Sequence, residues 1–205
     1  MKVSRLLDYL RFGELSDLSI SDTTEQVNLS KLYSFINRGL KKVNSELGLL
    51  EEEASFLVAE GVYSYPISDP LILRVSSVYD QDGKELPLNI EGDDRSVFTS
   101  NFNTVEFIGH RDNANNLITT LSVIYLKDFD EITDKDQDIN ISEGLIEVLT
   151  NYVAYLAHGS VNMAEGSSAA KYQSQYEIEL GKARKFGYKA QMFNSVDKLR
   201  ERGFA

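Results

Sequence analysis

The chain has 205 residues and a net charge of −11, and its 42% hydrophobic and 26% charged residues give the composition of a globular protein that can bury a sizeable core. The sequence contains no cysteine, which excludes disulfide bonds and thiolate chemistry, and it contains only two histidines. The acidic balance argues against general wrapping of nucleic acid, and no apolar run approaches the ~18 residues that cross a bilayer. Since the N-terminus lacks a signal-peptide pattern, we expect a protein that is soluble and cytosolic when made.

Two amphipathic helices are predicted within the first fifty residues. The first spans residues 3–12, and a loop rich in Ser, Asp and Thr follows from Gly13 to Gln26. Asn28 is predicted to cap the second helix, and Gly48 is predicted to end it. The apolar positions recur at three- and four-residue steps, at Val3, Leu6, Leu7 and Leu10 in the first helix and at Leu29, Leu32, Tyr33, Ile36, Leu40, Val43 and Leu47 in the second.

From Ala54 onward, short β-prone runs replace the helical period, and all three prolines of the chain lie among them. Turn signals separate the runs, and Asp82-Gly83 is the strongest hairpin signal. The pattern predicts a mostly antiparallel β region of roughly 70 residues, a comfortable size for a subdomain. The predicted strands are Ser55–Ala59, Val62–Tyr65, Leu71–Tyr79, Glu85–Leu88, Arg95–Thr99, Thr104–Ile108 and Ile118–Leu126.

Helical periodicity returns after the acidic segment Asp128–Asp138. Ser142 is predicted to cap a helix that ends near Gly159, and a further helix is predicted from Ser167 or Ser168 to Phe186. The order of helices, then strands, then helices predicts an α+β fold. In this fold the N- and C-terminal helices form one helical bundle from residues 1–50 and 128–187, an antiparallel β-rich subdomain is inserted at residues 51–127, and residues 188–205 form a C-terminal arm.

Basic residues concentrate at the C-terminal end of the chain. From Lys182 to Ala205 there are seven Lys or Arg and two Asp or Glu, so this stretch carries +5 and the remainder carries −16. Such a tail indicates contact with an acidic protein surface or with nucleic acid. The alternative is a solvated helix end whose cations suit the helix dipole.

No segment carries a recognisable catalytic motif. Phosphate-binding glycine loops and nucleophile motifs are absent from the sequence, and His110 and His158 fit surface or helix-capping positions. Asp134, Asp136 and Asp138 alternate as in a calcium loop, but the Gly and Glu that an EF-hand needs later in the loop are missing. That segment is interpreted as an acidic linker, with a weak calcium site as the alternative. We predict no enzyme activity, no cofactor and no metal.

The aromatic residues are skewed towards tyrosine, with eleven Tyr and no Trp. Tyrosine buries area while keeping a polar end, so it suits contacts between subunits. Tyr152 and Tyr176 are interpreted as helix–helix core. Tyr155 lies off the leucine stripe of its helix and is the predicted subunit-interface residue.

Several short phrases follow one another in the order of the predicted elements. They are LKKVNSELGLL at residues 40–50, EGVYSYP at 60–66, DQDGKELPL at 80–88, SVIYL at 122–126, ISEGLIEVL at 141–149, YVAYLAHGS at 152–160 and ELGKARKFG at 179–187. In these phrases and in element order, the chain resembles the head-to-tail adaptor (connector) family of short-tailed bacteriophages over most of its length.

The resemblance implies a structural protein of the virion, at the junction of head and tail. It implies a closed ring, with twelve copies as the expected number, that sits under the portal, continues the DNA channel and meets tail nozzle or fibre proteins. Double-stranded DNA would pass through without sequence-specific binding, no membrane is involved, and the chain would be made in the cytoplasm of the bacterial host. The arm would dock onto the portal through Tyr188, Lys189, Met192, Phe193, Lys198, Leu199, Arg200, Arg202 and Phe204.

Two other functions stay open at this point. Another neck or tail-completion protein of the virion would share these fold elements but bind different neighbours. A small carboxylate-dependent enzyme would instead be a monomer or small oligomer with a perturbed carboxylate in a cleft.

Overall fold

The computed structural model describes residues 1–109, 111, 117–161 and 166–185. The chain divides into two compact units. The first unit contains Met1–Leu49 and the described residues from Phe129 onward, and the second contains the described residues of Leu50–Asp128. The first unit is helical and the second is built of strands, so the α+β class predicted from the sequence is confirmed.

The described part of the first unit contains four α-helices. They are α1 (Val3–Phe12), α2 (Gln26–Leu47), α3 (Ile146–Val161) and α4 (Gly166–Lys185). The helix α3 contacts each of the other three, and α4 is its most extensive neighbour. The apolar face predicted for α1 is confirmed, since Val3, Leu6, Leu7 and Leu10 are all buried. Gly48 ends α2 in the left-handed conformation with φ of 62°, as predicted.

The predicted cap of α2 at Asn28 is wrong. The helix begins earlier, at Gln26, and Glu25 occupies the N-cap position. The preceding loop folds tightly against the helix start and leaves backbone carbonyls to be satisfied. The side-chain amide of Asn28 turns back and donates to the carbonyl oxygens of Ser19 and Asp22, each at 3.2 Å. The residue therefore stabilises the loop from within the first helical turn.

Ser142 occupies the predicted N-cap position, but its side chain does not do the capping. Ser142 precedes a 3₁₀ turn at Glu143–Leu145 that leads directly into α3, and its side chain makes no cap hydrogen bond. Its backbone carbonyl instead accepts a hydrogen bond from the N–H of Leu145 at 2.9 Å. A 3₁₀ start closes a tighter ring and satisfies its first donor with backbone alone.

The second unit contains six strands in its described residues. They are β1 (Glu51–Leu57), β2 (Ser64–Pro66), β3 (Ile72–Tyr79), β4 (Val97–Asn101), β5 (Thr104–Phe107) and β6 (Thr120–Lys127). They form two three-stranded antiparallel sheets, with strand orders β1-β6-β3 and β2-β5-β4. A second hydrophobic core lies in this unit, where Phe107, Leu121 and Val123 are fully buried.

Two predicted strands of this unit differ in the structure. The first begins at Glu51, because the acidic run pairs with the last residues of β6, with Glu51 opposite Leu126. Glu85–Leu88 forms no strand and makes only single bridges to its neighbours. The carboxylate of Asp80 accepts hydrogen bonds from the N–H groups of Asp82 and Lys84, both at 2.9 Å, which forms the turn predicted at Asp82-Gly83. Pro87 then supplies no N–H to a ladder beyond the turn.

No helix of the described residues is both long and apolar enough to cross a membrane.

The crossing of α2 and α3 depends on a glycine. Gly39 is buried, and a Cβ atom built on it would lie 2.8 Å from Cδ1 of Leu149 and 3.2 Å from Cγ2 of Val153. At Gly181 on α4, a Cβ atom would meet nothing within 4 Å.

We expect Gly39→Leu to lower the free energy of unfolding by about 1–3 kcal/mol, because a large side chain overpacks the helix crossing. Gly181→Leu is the matched control and should not lower stability, since it adds only helix propensity of about 0.5–1 kcal/mol. Urea denaturation of the two variants beside the wild type measures both values. Equal stability of the two variants would contradict the role assigned to Gly39.

Candidate functional site

The residues predicted to dock onto the portal lie outside the described residues. They are Tyr188, Lys189, Met192, Phe193, Lys198, Leu199, Arg200, Arg202 and Phe204. The root of the arm is described, because α4 extends to Lys185. The predicted interface residue Tyr155 lies half-buried on α3, with its ring centroid 5.8 Å from that of Tyr152. The roles of these residues stay predictions.

The end of α4 is tied to the end of α2 by an ion cluster. The carboxylate of Glu46 accepts a hydrogen bond from Nζ of Lys42 at 2.7 Å and another from the guanidinium of Arg184. The hydrogen bond from Lys42 and the two positive charges hold the pKa of Glu46 below its usual value, against the opposing effect of burial. The end of the described part of α4 is therefore held beside the end of α2, although each such partly exposed pair contributes little to stability.

Tyrosine rings connect α3 with α4. The ring centroids of Tyr152 and Tyr176 lie 4.9 Å apart, and Tyr176 is buried in the core as predicted. Burial raises the pKa of Tyr176 to about 12, and its hydroxyl group has no hydrogen-bond partner within the described part of the chain. This side chain contributes area to the helix–helix contact rather than a reactive group.

His158 lies in the last turn of α3, as predicted, but it is buried rather than at the surface. Its Nε2 lies 3.0 Å from the carbonyl oxygen of Glu14, and its ring stacks on Tyr172 with centroids 4.9 Å apart. The hydroxyl of Tyr172 donates to the same carbonyl at 3.1 Å. Two side chains from α3 and α4 thus fix the backbone just after α1. His110, the other histidine, lies outside the described residues.

A groove between α1 and the start of α3, here called the α1–α3 groove, has a volume of about 440 Å³. Its lining includes Arg5, Tyr9, Glu14, Glu143, Ile146 and Glu147. The guanidinium of Arg5 donates to the Tyr9 hydroxyl at 3.0 Å and lies 3.5 Å from the Glu143 carboxylate. The three carboxylates and one guanidinium give the groove a net negative charge. Sequence reasoning missed this site, because its acidic residues come from opposite ends of the chain.

A second polar cluster joins the strands of the β1-β6-β3 sheet. The hydroxyl of Tyr125 lies 3.1 Å from Oδ2 of Asp69 and 3.2 Å from Oε2 of Glu52. Nζ of Lys127 lies 3.2 Å from Glu52 and 3.4 Å from Asp69. Burial, together with the hydrogen bond to Asp69 and its charge, raises the pKa of Tyr125 above its usual value. The hydroxyl therefore stays protonated and acts as a donor between two carboxylates.

Asp69 is the most enclosed carboxylate of that cluster. Burial by itself raises its pKa, but this effect is outweighed by donors from the N–H of Leu71, at 2.9 Å, and the Tyr125 hydroxyl, together with the charge of Lys127. The pKa of Asp69 therefore lies below its usual value. The cluster links β6 with β1 and with the loop before β3. Its interactions therefore stabilise the sheet, which is a structural role.

Hydrogen bonds between side chains and backbone groups hold the acidic segment after β6. Asn37 on α2 donates to the carbonyl of Ile132 at 3.1 Å and accepts from its N–H at 2.9 Å. The carboxylate of Asp134 accepts from the N–H of Asp136 at 2.7 Å. Within the described residues no group of three or more His, Asp or Glu side chains could hold a metal ion.

We expect Asp69→Asn to lower the free energy of unfolding by about 1–2 kcal/mol at pH 7, since a charged acceptor of three donors is lost. A carboxylate whose folded pKa is depressed stabilises the fold above its unfolded pKa of about 3.9, and this contribution disappears as the pH falls through the folded value. The difference between wild type and variant should therefore vanish in strong acid.

Urea denaturation between pH 2 and pH 7 measures this difference, and Asp82→Asn is the matched control because Asp82 is exposed in the same unit. A pH-independent difference for Asp69→Asn, or an equal loss for Asp82→Asn, would show that the charge of Asp69 does not stabilise the sheet.

Comparison with known proteins assigns the chain to a family. The sequence model of the SU10 adaptor protein family matches residues 2–198, which include both units and most of the arm. A search of curated proteins finds none that matches. The family match confirms the adaptor resemblance and points to a structural rather than a catalytic role. Since the match covers nearly the whole chain, the protein belongs to the SU10 adaptor protein family and is a bacteriophage adaptor protein of the virion.

Proposed function

We propose that the protein forms a closed ring between the portal and the tail of the virion and continues the DNA channel, with twelve as the expected number of copies. The single observation that carries this proposal is the adaptor-family match over residues 2–198. The proposal keeps the division of the chain into a helical bundle, an inserted β-rich subdomain and a C-terminal arm at residues 188–205.

A ring of identical subunits needs two different complementary patches on each copy. The charge distribution supports this requirement, because the C-terminal stretch from Lys182 carries +5 and the rest of the chain carries −16. Tyr155 supports it as well, since it is half-buried on α3 and available for further contact. We propose Tyr155 as a residue of the subunit interface.

The arm is proposed to dock onto the portal. Its sequence alternates cations with apolar anchors, as in Lys198-Leu199-Arg200, which suits a partner surface that is acidic and partly apolar. Arg184, close before the arm in sequence, donates to Glu46 at the end of α2, so the last described residues of α4 are held in place. The portal-binding residues are proposed to be Tyr188, Lys189, Met192, Phe193, Lys198, Leu199, Arg200, Arg202 and Phe204.

The acidic body suits a channel through which DNA must slide, because fixed cations on a wall would hold phosphates. The remaining proposed partners are tail nozzle or fibre proteins on the side away from the portal. Synthesis would take place in the cytoplasm of the bacterial host, and no cofactor is needed for an assembly role of this kind.

Light scattering of the purified chain mixed with portal rings tests the docking. We expect a large stoichiometric gain in mass that deletion of residues 188–205 abolishes. Replacement of Lys198, Arg200 and Arg202 by Gln should weaken binding at least tenfold at low salt, because the arm loses its distal cations. The matched control replaces Lys31, Arg38 and Lys84, which are exposed elsewhere, and should leave binding within twofold.

The absence of any mass gain with portal would remove the portal assignment and favour another neck or tail-completion position in the virion. Unchanged binding after deletion of residues 188–205 would instead show that a different surface docks.

We expect Tyr155→Ser to reduce the number of copies retained in portal-bound rings, because an interface loses an aromatic contact. Ile178→Ser is the control, since Ile178 is 58% exposed on α4 and has no proposed role. Mass measurement of assembled rings, with thermal unfolding to verify that both variants fold, gives the answer. Equal assembly of both variants would exclude Tyr155 from the interface.

A further inference from the structure

We propose that the α1–α3 groove of one copy binds the first part of the C-terminal segment, residues 186–193, of the neighbouring copy, with the ammonium group of Lys189 between Glu14 and Glu147. This inference rests on the proposed ring and gives it a specific contact between subunits. The remaining part of the arm, with Lys198, Arg200 and Arg202, continues to the portal.

Glu14 is the first observation behind this inference. Its Oε2 is buried and has no hydrogen-bond partner among the described residues, although the side chain lines the groove. A buried carboxylate oxygen without a partner is costly, so a cation that enters the groove gains a strong interaction. The backbone of Glu14 is already fixed, because its carbonyl accepts hydrogen bonds from both His158 and Tyr172. Little ordering of the site is therefore needed on binding.

The charges of the groove favour a cationic occupant. Arg5 is engaged with the hydroxyl of Tyr9 and with Glu143. Neither Glu14 nor Glu147 forms an ion pair with a cation of the described residues, although Glu147 interacts electrostatically with Lys182. Two carboxylates that line the groove thus stay available for an entering cation.

One aromatic side chain, that of Tyr9, lines the groove and is 43% exposed. Phe12 is 75% exposed, and its spacing from Arg5 and Tyr9 places it on the same face of α1. Ile146 adds an apolar wall at the start of α3. This arrangement fits a lysine side chain whose methylene stem and aromatic neighbours stay in contact with apolar surface while the ammonium group reaches the carboxylates.

The sequence FGYKAQMF at residues 186–193 has this chemistry, because its one cation, Lys189, stands among Phe186, Tyr188 and Phe193. The segment begins directly after the fixed end of α4 at Lys185. Since a ring requires one donor patch and one acceptor patch on every copy, the groove and this segment form a complementary pair. The whole stretch from residue 186 to 205 spans up to about 66 Å when extended, enough to cross a neighbour and still reach the portal.

Carbodiimide cross-linking of portal-bound assemblies tests the contact. Carbodiimide joins a carboxylate to an amine with no spacer, so it reports only direct pairs. Equal amounts of full-length chain with ¹⁴N and with ¹⁵N are mixed before assembly, and cross-linked peptides are identified by mass spectrometry. We expect Lys189 joined to Glu14 or Glu147, with about half of these products pairing one light and one heavy peptide, as random mixing in a ring requires.

Variants make the test specific to the groove. Glu14→Gln with Glu147→Gln should remove the Lys189 cross-links and reduce ring completion at least fivefold. The matched control, Glu60→Gln with Glu177→Gln, changes the same charge at exposed positions and should leave both unchanged. Because Glu14→Gln removes an unpaired charge, the variant should unfold at a temperature no lower than the wild type. Lys189→Glu should disrupt rings, and its combination with Glu147→Lys should restore them.

Three results would overturn the inference: cross-links of uniform isotope only, which place the segment on its own chain; no Lys189 cross-link in complete rings; or an equal effect of the control pair. If portal rings gain no mass with the wild-type chain, the proposed function fails and this contact fails with it. If rings assemble on the portal without mixed cross-links, the proposed function stands and only this contact is wrong.

Discussion

The antiparallel pairing of β1 with β6 is the constraint on which the rest of the structure depends. Its register sets Glu51 opposite Leu126, and the N–H of Lys127 donates to the carbonyl of Leu50 at 2.7 Å. The chain therefore enters and leaves the second unit at adjacent points, although the whole β region separates them in sequence. Closing such a long loop costs conformational entropy. The Glu52, Tyr125 and Lys127 side chains offset part of that cost at the end of the sheet where the two connections meet.

Closure of the helical unit follows a similar principle. The N-terminal ammonium group of Met1 donates to the carbonyl of Ile139 at 2.8 Å, and Asn37 holds Ile132 through two hydrogen bonds. These contacts connect the first residues of the chain and α2 with the segment that precedes α3. The buried helix α3 can then pack against α1, α2 and α4 at once, and Gly39 gives α2 the close approach that this packing needs.

The polar groups of the helical unit are arranged for contact rather than for reaction. The side chains of His158 and Tyr172 both donate hydrogen bonds to the carbonyl oxygen of Glu14 and so hold the backbone there. In the α1–α3 groove, the backbone of Glu14 is held by these two hydrogen bonds, and the exposed side chain of Tyr9 lines the same groove. A protein whose family role is to connect parts of a virion needs surfaces that are rigid and chemically complementary, and a fixed charge lowers the entropy lost when a partner binds.

The sequence by itself determined the order of helices, then strands, then helices, and the adaptor family. Periodicity located α1 to the residue and placed Tyr176 in the core, because a helical stripe is a local property that neighbouring residues encode. It misplaced the cap of α2 at Asn28 and the start of β1, since those depend on which loop or strand lies alongside.

Only the tertiary structure decided which distant residues share a site. Glu14 and Glu147 line one groove, and Glu52, Asp69 and Tyr125 form one cluster, although long stretches of chain separate their members. The burial of His158 was likewise not predictable from the sequence. Its ring stacks on Tyr172 of α4 and contacts the carbonyl oxygen of Glu14, and both partners reach α3 through packing rather than through local sequence. Contacts of this kind between distant side chains depend on how the elements pack together. A local sequence pattern therefore cannot predict them.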